Sequence, residues 1–257
     1  MNLTRRNYFS KKANREFMSV SQFKSFERCQ NAALAEIKGK FEREKTTALL
    51  VGSYVDAYFD GTLGNFIREN PDIFKKDGTL KADYMQAEEI IKRILRDKLF
   101  MEYATGGKNQ VIMTGNIAGV PVKIMMDSYH PGKMIVDRKI MRDFESVFVE
   151  DKGLLPWFEA WGYDLQGAVY QEIVRQNTGE KLPFYLAAAT KEKVTDFDIV
   201  HISQNMLDFA MERFVYNAPT FDAIKHGIIE PERCEKCDYC KMSKVLTEPT
   251  ETDDLYF

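Results

Sequence analysis

"GVPVKIMMDSYHPGKMIVDRKIM", residues 119–141, decides how this chain is read. Two apolar runs flank the break His130-Pro131-Gly132-Lys133, a short polar, glycine-containing link of the kind that joins antiparallel strands. Each run carries an aspartate in a segment otherwise built for burial: Asp127 near the end of the first, Asp137 inside the second, with Lys139 two residues on. Side chains two apart on a strand share a face. Asp137 and Lys139 therefore project together, while Arg138 points away with its backbone carbonyl between them. A hairpin also brings Asp127 within reach of Asp137.

Two carboxylates and a backbone carbonyl make a hard oxygen set of the kind Mg²⁺ or Mn²⁺ prefers. A lysine beside such an ion orients a water or neutralises charge growing on a phosphate. The chemistry expected of these strands is metal-dependent phosphodiester hydrolysis. An Asp-x-Lys triplet alone is also what a surface ion pair looks like. Glu36-Ile37-Lys38 has the same form, but it sits on an expected helix, where i and i+2 diverge.

Outward from this stretch, strands are expected at 109–115, 120–128 and 134–140. Helices are expected before them at about 19–40, 46–61 and 82–100, the last amphipathic through Met85, Ile90, Ile91, Ile94, Leu95 and Leu99. After them come a helix over 154–177, two short strands in 183–190 and 196–203, and a helix over 203–227 that Pro219 should kink or split. This order predicts an α+β or three-layer α/β/α domain with a central mixed sheet flanked by helices.

The chain of 257 residues is 44% hydrophobic and 29% charged, an ordinary globular balance. A net charge of −3 excludes binding nucleic acid by bulk charge alone, but not in a local basic groove. No apolar run has the length of a membrane span, and the start is charged rather than apolar, so a cytoplasmic location and no membrane partner are expected. Residues 1–17 are a basic arm with Arg5, Arg6, Lys11, Lys12 and Arg15; residues 246–257 are an acidic tail with Glu248, Glu251, Asp253 and Asp254. Both ends are expected to be solvated. Between them, residues 18–245 form one domain: helices over 18–100, a core over 105–226 and a cysteine cluster over 234–240.

The four cysteines are Cys29 and the run Cys234, Cys237 and Cys240, which begins 205 residues later. The late three are too close to pair sensibly as disulfides, and their spacing suits one metal centre. Zinc sites more often use two separated pairs; a three-cysteine run with a distant fourth is familiar from [4Fe–4S] ligation. His130 is expected in a turn, His201 inside a strand, and neither, nor His226, has spacing for a triad. No Gly-x-Ser-x-Gly elbow or nucleotide-binding phosphate loop is present.

The residues Asp127, Asp137-Arg138-Lys139 and, on the following helix, Gln166-x-x-x-Tyr170 resemble the PD-(D/E)xK nuclease superfamily, in particular its RecB-like branch and the RecE-type exonucleases of phages and prophages. The resemblance implies that Asp127 and Asp137 bind the metal with the Arg138 carbonyl, that Lys139 assists the hydrolytic water, and that Gln166 and Tyr170 touch DNA or support the site. It also implies end resection of DNA, with a single-strand annealing protein as a possible partner. RecB-like nucleases carry Gly-x-x-x-His on an early helix; here Gly52 is followed by Asp56, which stands as a metal ligand in place of the histidine. Relatives with one early and three late cysteines hold a [4Fe–4S] cluster, implying the same for Cys29, Cys234, Cys237 and Cys240, with zinc or an empty site as alternatives because the late spacing departs from theirs. A CRISPR-adaptation-like single-strand nuclease and a non-catalytic nucleic-acid-binding protein of the same fold are the rival readings.

Overall fold

A computed structural model describes residues 1–150, 152–246, 248, 249 and 251; Asp253 and Asp254 of the expected acidic tail lie outside the described residues. In chain order the elements are α1 (Lys11–Glu16), α2 (Val20–Arg28), α3 (Gln30–Ile37), α4 (Thr47–Phe59), α5 (Leu63–Glu69), α6 (Ala82–Ile94) and α7 (Lys98–Thr105). The strands β1 (Lys108–Ile117), β2 (Val120–His130), β3 (Met134–Met141), β4 (Val147–Val149) and β5 (Gly153–Leu155) follow. The chain ends through α8 (Trp157–Ala160), α9 (Tyr163–Thr178), β6 (Phe184–Thr190), β7 (Phe197–Ile202), α10 (Gln204–Lys225) and α11 (Asp238–Met242).

The central sheet runs β1-β2-β3-β6-β7, antiparallel except for the β3–β6 pair. Parallel neighbours need a long crossover, and α9 supplies it. One face of the sheet is buried by α2, α3, α9 and α10, through residues such as Phe23, Phe26, Val169, Phe214 and Phe221 against Val122, Ile124, Ile135 and Phe184. On the other, Ile90 and Ile94 of α6 and Phe100 and Ala104 of α7 cover Val136, Ala187 and Ala189. The result is the three-layer mixed fold expected from the element order. Helix α9 approaches so closely that a Cβ at Gly167 would lie 2.5 Å from the Phe184 ring. That approach brings Gln166 to the strand carrying Asp137.

Several local expectations are corrected by the packing. The first long helix is two, because Cys29 is extended (φ −168°, ψ 110°), ending α2 and capping α3 through its sulfur. The third also divides: Asp97 accepts the Phe100 N–H at 2.8 Å and starts α7, leaving Met85, Leu95 and Leu99 exposed. The helix expected from 154 begins instead as the strand β5, paired with β4. Gly162, at φ 64°, then starts α9, with Lys24 packed where a Cβ would stand. Helix α10 runs unbroken through Pro219, held by Phe214, Ala218 and Phe221.

The basic arm keeps Arg5, Arg6, Lys11, Lys12 and Arg15 exposed, as expected, but is anchored to the sheet at a few points. Tyr8 and Ala13 are buried, and Met18 bridges Val122 along β2. The fully buried Lys123 donates to the Tyr8 carbonyl at 2.5 Å and to Asn14 Oδ1 at 2.7 Å. A buried amine needs such acceptors; here they tie the arm to the sheet. Among the described residues no helix is long and apolar enough to cross a membrane.

Candidate active site

The β2–β3 ladder pairs His130 with Met134, Tyr129 with Ile135 and Ser128 with Val136, then stops. The next pair in register would be Asp127 and Asp137. In place of that ladder step, Asp127 Oδ2 accepts the Arg138 backbone N–H at 3.0 Å. The carboxylate thus prises the strands apart where Asp137 and Lys139 lie. Strand β2 itself continues to His130, so Asp127 lies within it and not at its end.

On β1, Gln110 adopts φ 53°, outside the strand region and costly for a non-glycine residue by roughly 1–2 kcal/mol. The conformation aims its Nε2 at Asp127 Oδ1 (3.1 Å) and Asp60 Oδ2 (2.8 Å). Backbone strain of this kind persists where surrounding contacts enforce it, and here two carboxylates do.

Asp137 is buried, and Gln166 Nε2 donates to its Oδ1 at 2.7 Å. Its Oδ2 rests against Lys139 Nζ as an ion pair but has no hydrogen bond of ordinary geometry. Lys139 Nζ also lies 4.9 Å from the Tyr163 ring centroid, in cation–π range. Burial pushes the Asp137 carboxyl up to about 6 against the pull of Lys139. For Lys139, burial works to lower the pKa, but Asp137 beside it prevails and holds the ammonium charged well above its ordinary range.

Arg138, on the opposite face, is nearly fully buried. Its Nη2 meets Asp60 Oδ1 at 2.5 Å, Nη1 the Ala104 carbonyl at 3.2 Å, and Nε Asp56 Oδ1 at 3.5 Å. Asp56 therefore leans toward Arg138. Its side chain keeps 42% of its surface accessible. Partial burial, then the negative charge of Asp127, pushes its carboxyl up to about 7 despite Arg138 and Lys139.

Asp127, Asp137, Lys139 and Gln166 thus meet beside the backbone of Arg138, with Asp56 against its guanidinium. Tyr170 lies one turn behind Gln166, buried, with its hydroxyl donating to the Met125 carbonyl at 3.0 Å; its contact is with the sheet. The donor set is hard oxygen, and one buried Asp137 oxygen lacks a hydrogen bond, so the residues fit a divalent cation such as Mg²⁺. Their oxygens are not gathered into a closed shell. Among the described residues, the group of three or more potential ligands lying within 4.8 Å of one another is Cys29, Cys234, Cys237 and Cys240.

Those cysteines come from the α2–α3 junction, the segment leading into α11 (Cys234 and Cys237) and α11 itself (Cys240). Cys29 and Cys240 sulfurs are 3.5 Å apart, Cys234 and Cys240 4.0 Å. The cluster packs on Ala32 and Tyr239, and Asn31 N–H donates to the Glu232 carbonyl at 3.0 Å beside it.

Sequence reasoning missed four residues. Asp60 sits one helical turn after Asp56 and was findable by that spacing. Gln110, Tyr163 and Lys24 carry no local signal. Lys24 Nζ donates to the Trp161 carbonyl at 2.8 Å and lies 5.0 Å from the Tyr163 ring. Burial, then the charge of Lys139, lowers its pKa to about 7. It opens onto a groove of about 710 Å³ lined also by Arg28, Lys152, Arg213 and the half-exposed Trp161. One histidine reading is corrected: His130 is not in a turn but buried in β2, bonded to Ser128 (3.0 Å) and the Tyr103 carbonyl (3.1 Å). His201 lies in β7 as expected, exposed and with its ring centroid 4.8 Å from that of Tyr185. In the Glu36-Ile37-Lys38 triplet only Ile37 is buried; Glu36 pairs with Arg43 and Lys38 is exposed.

Comparison with known proteins bears on this geometry. A crystal structure of a protein from Eubacterium rectale named "Putative exonuclease" is 50% identical, covers 100% of this chain and 98% of its own, and superposes with a TM-score of 0.96. A second structure, SSO0001, is 11% identical over 77% of this chain and 86% of its own, with a TM-score of 0.29. No curated protein matches. Residues 19–243 match the family model described as a PDDEXK-like domain of unknown function (DUF3799), and the chain belongs to that family, within the PD-(D/E)xK nuclease superfamily.

Proposed function

We propose that this protein is a Mg²⁺- or Mn²⁺-dependent DNA exonuclease acting in the cytoplasm. The observation that carries the reading is the opened β2–β3 ladder, where the Asp127 carboxylate holds the Arg138 amide beside the buried Asp137–Lys139 pair. Support comes from the nuclease superfamily and from the exonuclease name of the 50% identical relative.

Asp127 and Asp137, with the Arg138 carbonyl and Asp56, would hold the metal. The bound ion supplies Lewis acidity that activates water and stabilises charge on the phosphate. Lys139, kept charged by Asp137, serves as an electrostatic and positioning group at Nζ, not as a proton acceptor. Gln166 fixes Asp137 by its Oδ1, leaving Oδ2 for chemistry. Tyr170 braces the helix that carries Gln166. DNA would run along the groove of Lys24, Arg28, Lys152 and Arg213, with Trp161 available for base stacking. Resection of linear ends for an annealing partner, as in phage-type recombination, is the role this activity would serve.

The test is labelled DNA, linear or circular, single- or double-stranded, with Mg²⁺, Mn²⁺ or EDTA and with D137N as control. Metal-dependent loss of linear DNA, absent in D137N, is expected. Circle cutting would replace the exonuclease reading with an endonuclease. A preference for single strands would favour the adaptation-like alternative, and no cleavage in any metal would leave a nucleic-acid-binding protein.

A further inference from the structure

The resemblance implies a [4Fe–4S] cluster at the four cysteines, but the sulfur positions here do not fit one. In a [4Fe–4S] cluster each cysteine binds a different iron, so the four sulfurs stand outward from separate corners, roughly 6 Å apart. Here all four lie within 4.8 Å of one another, with pairs at 3.5 and 4.0 Å. A single tetrahedral ion with metal–sulfur bonds of about 2.3 Å sets its ligand sulfurs about 3.8 Å apart. The observed pairs bracket that spacing, and a cubane has no room between them.

The backbone adds a second observation. Ala32 N–H donates to Cys29 sulfur (3.5 Å), Cys237 N–H to Cys234 (3.3 Å) and Cys240 N–H to Cys237 (3.5 Å). Three of the four sulfurs thus receive an amide N–H from three residues on, an arrangement that favours thiolate over thiol and turns the sulfurs toward one point. Cys29 and Cys240 are buried, so the centre is shielded from solvent on the side facing α3.

We propose that Cys29, Cys234, Cys237 and Cys240 bind one tetrahedral zinc ion and no iron–sulfur cluster. The ion is a structural clip between the α2–α3 junction and the C-terminal segment, closed to a fifth ligand and inert to oxygen. It takes no part in hydrolysis, so the proposal stands apart from the nuclease reading.

The experiment is elemental and labile-sulfide analysis of the full chain, prepared both aerobically and anaerobically from cells supplied with iron and zinc. One zinc per chain, no sulfide and no colour in both preparations is the expected result. Iron and sulfide at about four each in the anaerobic preparation, or no stoichiometric metal, overturns the proposal. Because C240S could fail to fold, the same chain exchanged with Co²⁺ gives an independent reading. Intense blue-green tetrahedral thiolate bands are expected, and the weak pink spectrum of octahedral Co²⁺ overturns the single-ion site.

Discussion

The acidic site and the cysteine quartet sit in one fold and gather ligands in opposite ways. In the quartet, four sulfurs have converged within 4.8 Å and face each other. In the acidic site every carboxylate has a protein partner: Gln110 and the Arg138 amide for Asp127, Gln166 and Lys139 for Asp137, Arg138 for Asp56. The first is preorganised for permanent occupancy. The second holds its charges apart with hydrogen bonds, which on the proposed function a cation and a phosphate would partly replace in each turnover. Closed donor sets stabilise, and open ones react.

The broadest way to break this contrast is metal removal. A brief EDTA treatment should abolish DNA cleavage and leave the melting temperature unchanged, with full activity on adding Mg²⁺. A thiol-reactive mercurial should instead lower the melting temperature. A melting temperature that fell with EDTA and recovered with Mg²⁺ would place fold stability in the acidic site.

Next, Lys139→Ala should lower the cleavage rate by about 10²–10³-fold, and both it and Asp137→Asn should destabilise. Each leaves its partner buried without a counter-charge, at a cost of about 3–5 kcal/mol. A wild-type melting curve for either variant would argue that the pair is not a coupled buried unit.

Two aspartates one turn apart sharpen the comparison inside the site. Asp60 gives Arg138 its short contact, so Asp60→Ala should cost about 3 kcal/mol in denaturant unfolding. Asp56 contacts the same guanidinium at 3.5 Å and is 42% exposed, so Asp56→Ala should cost activity far more than stability. The reverse pattern would remove Asp56 from the ligand set.

A smaller effect is expected at the groove. Lys24→Ala should weaken DNA binding about tenfold and reduce the salt dependence of log K by about one unit, measured by fluorescence anisotropy across ionic strengths at pH 6, where Lys24 is charged. An unchanged slope would move the DNA path elsewhere.

The smallest is a pH dependence of stability away from both centres. Burial, helped by Lys225, lowers Lys123 to about 8, whereas an unfolded lysine titrates near 10.4. Between these values the unfolded chain binds the extra proton, so stability should rise with pH across that window and this rise should vanish in Lys123→Met. A neutral amine still has two hydrogens for Tyr8 and Asn14. Chemical denaturation of both proteins from pH 7 to 10.5 measures it.

Much of the site was legible because strands impose a period of two. That period put Asp137 and Lys139 on one face, and the break at 130–133 brought Asp127 opposite them. Gln166 and Tyr170 were legible by their separation of four on a helix, but only packing assigned one to Asp137 and the other to Met125. Asp60 and Gln110 were missed because their roles depend on α4 and β1 meeting across about fifty residues of chain. The split at Cys29 was missed for a related reason: nothing within residues 19–40 forbids a continuous helix, and the break aims a sulfur at a segment more than 200 residues away.

The amino-acid order by itself determined the succession of helices and strands, the acid-x-lysine alternation and the presence of four thiols at metal-binding spacing. These follow from local backbone periods and from which side chains tolerate burial. Only the tertiary structure decided how those groups are spent: that Arg138 is locked between two aspartates, that Tyr8 and Asn14 tie the basic arm to Lys123 of β2, and that the thiols close to single-ion distance. Each of these depends on distances between remote segments, set when the two faces of the sheet are covered and every buried charge must find a partner.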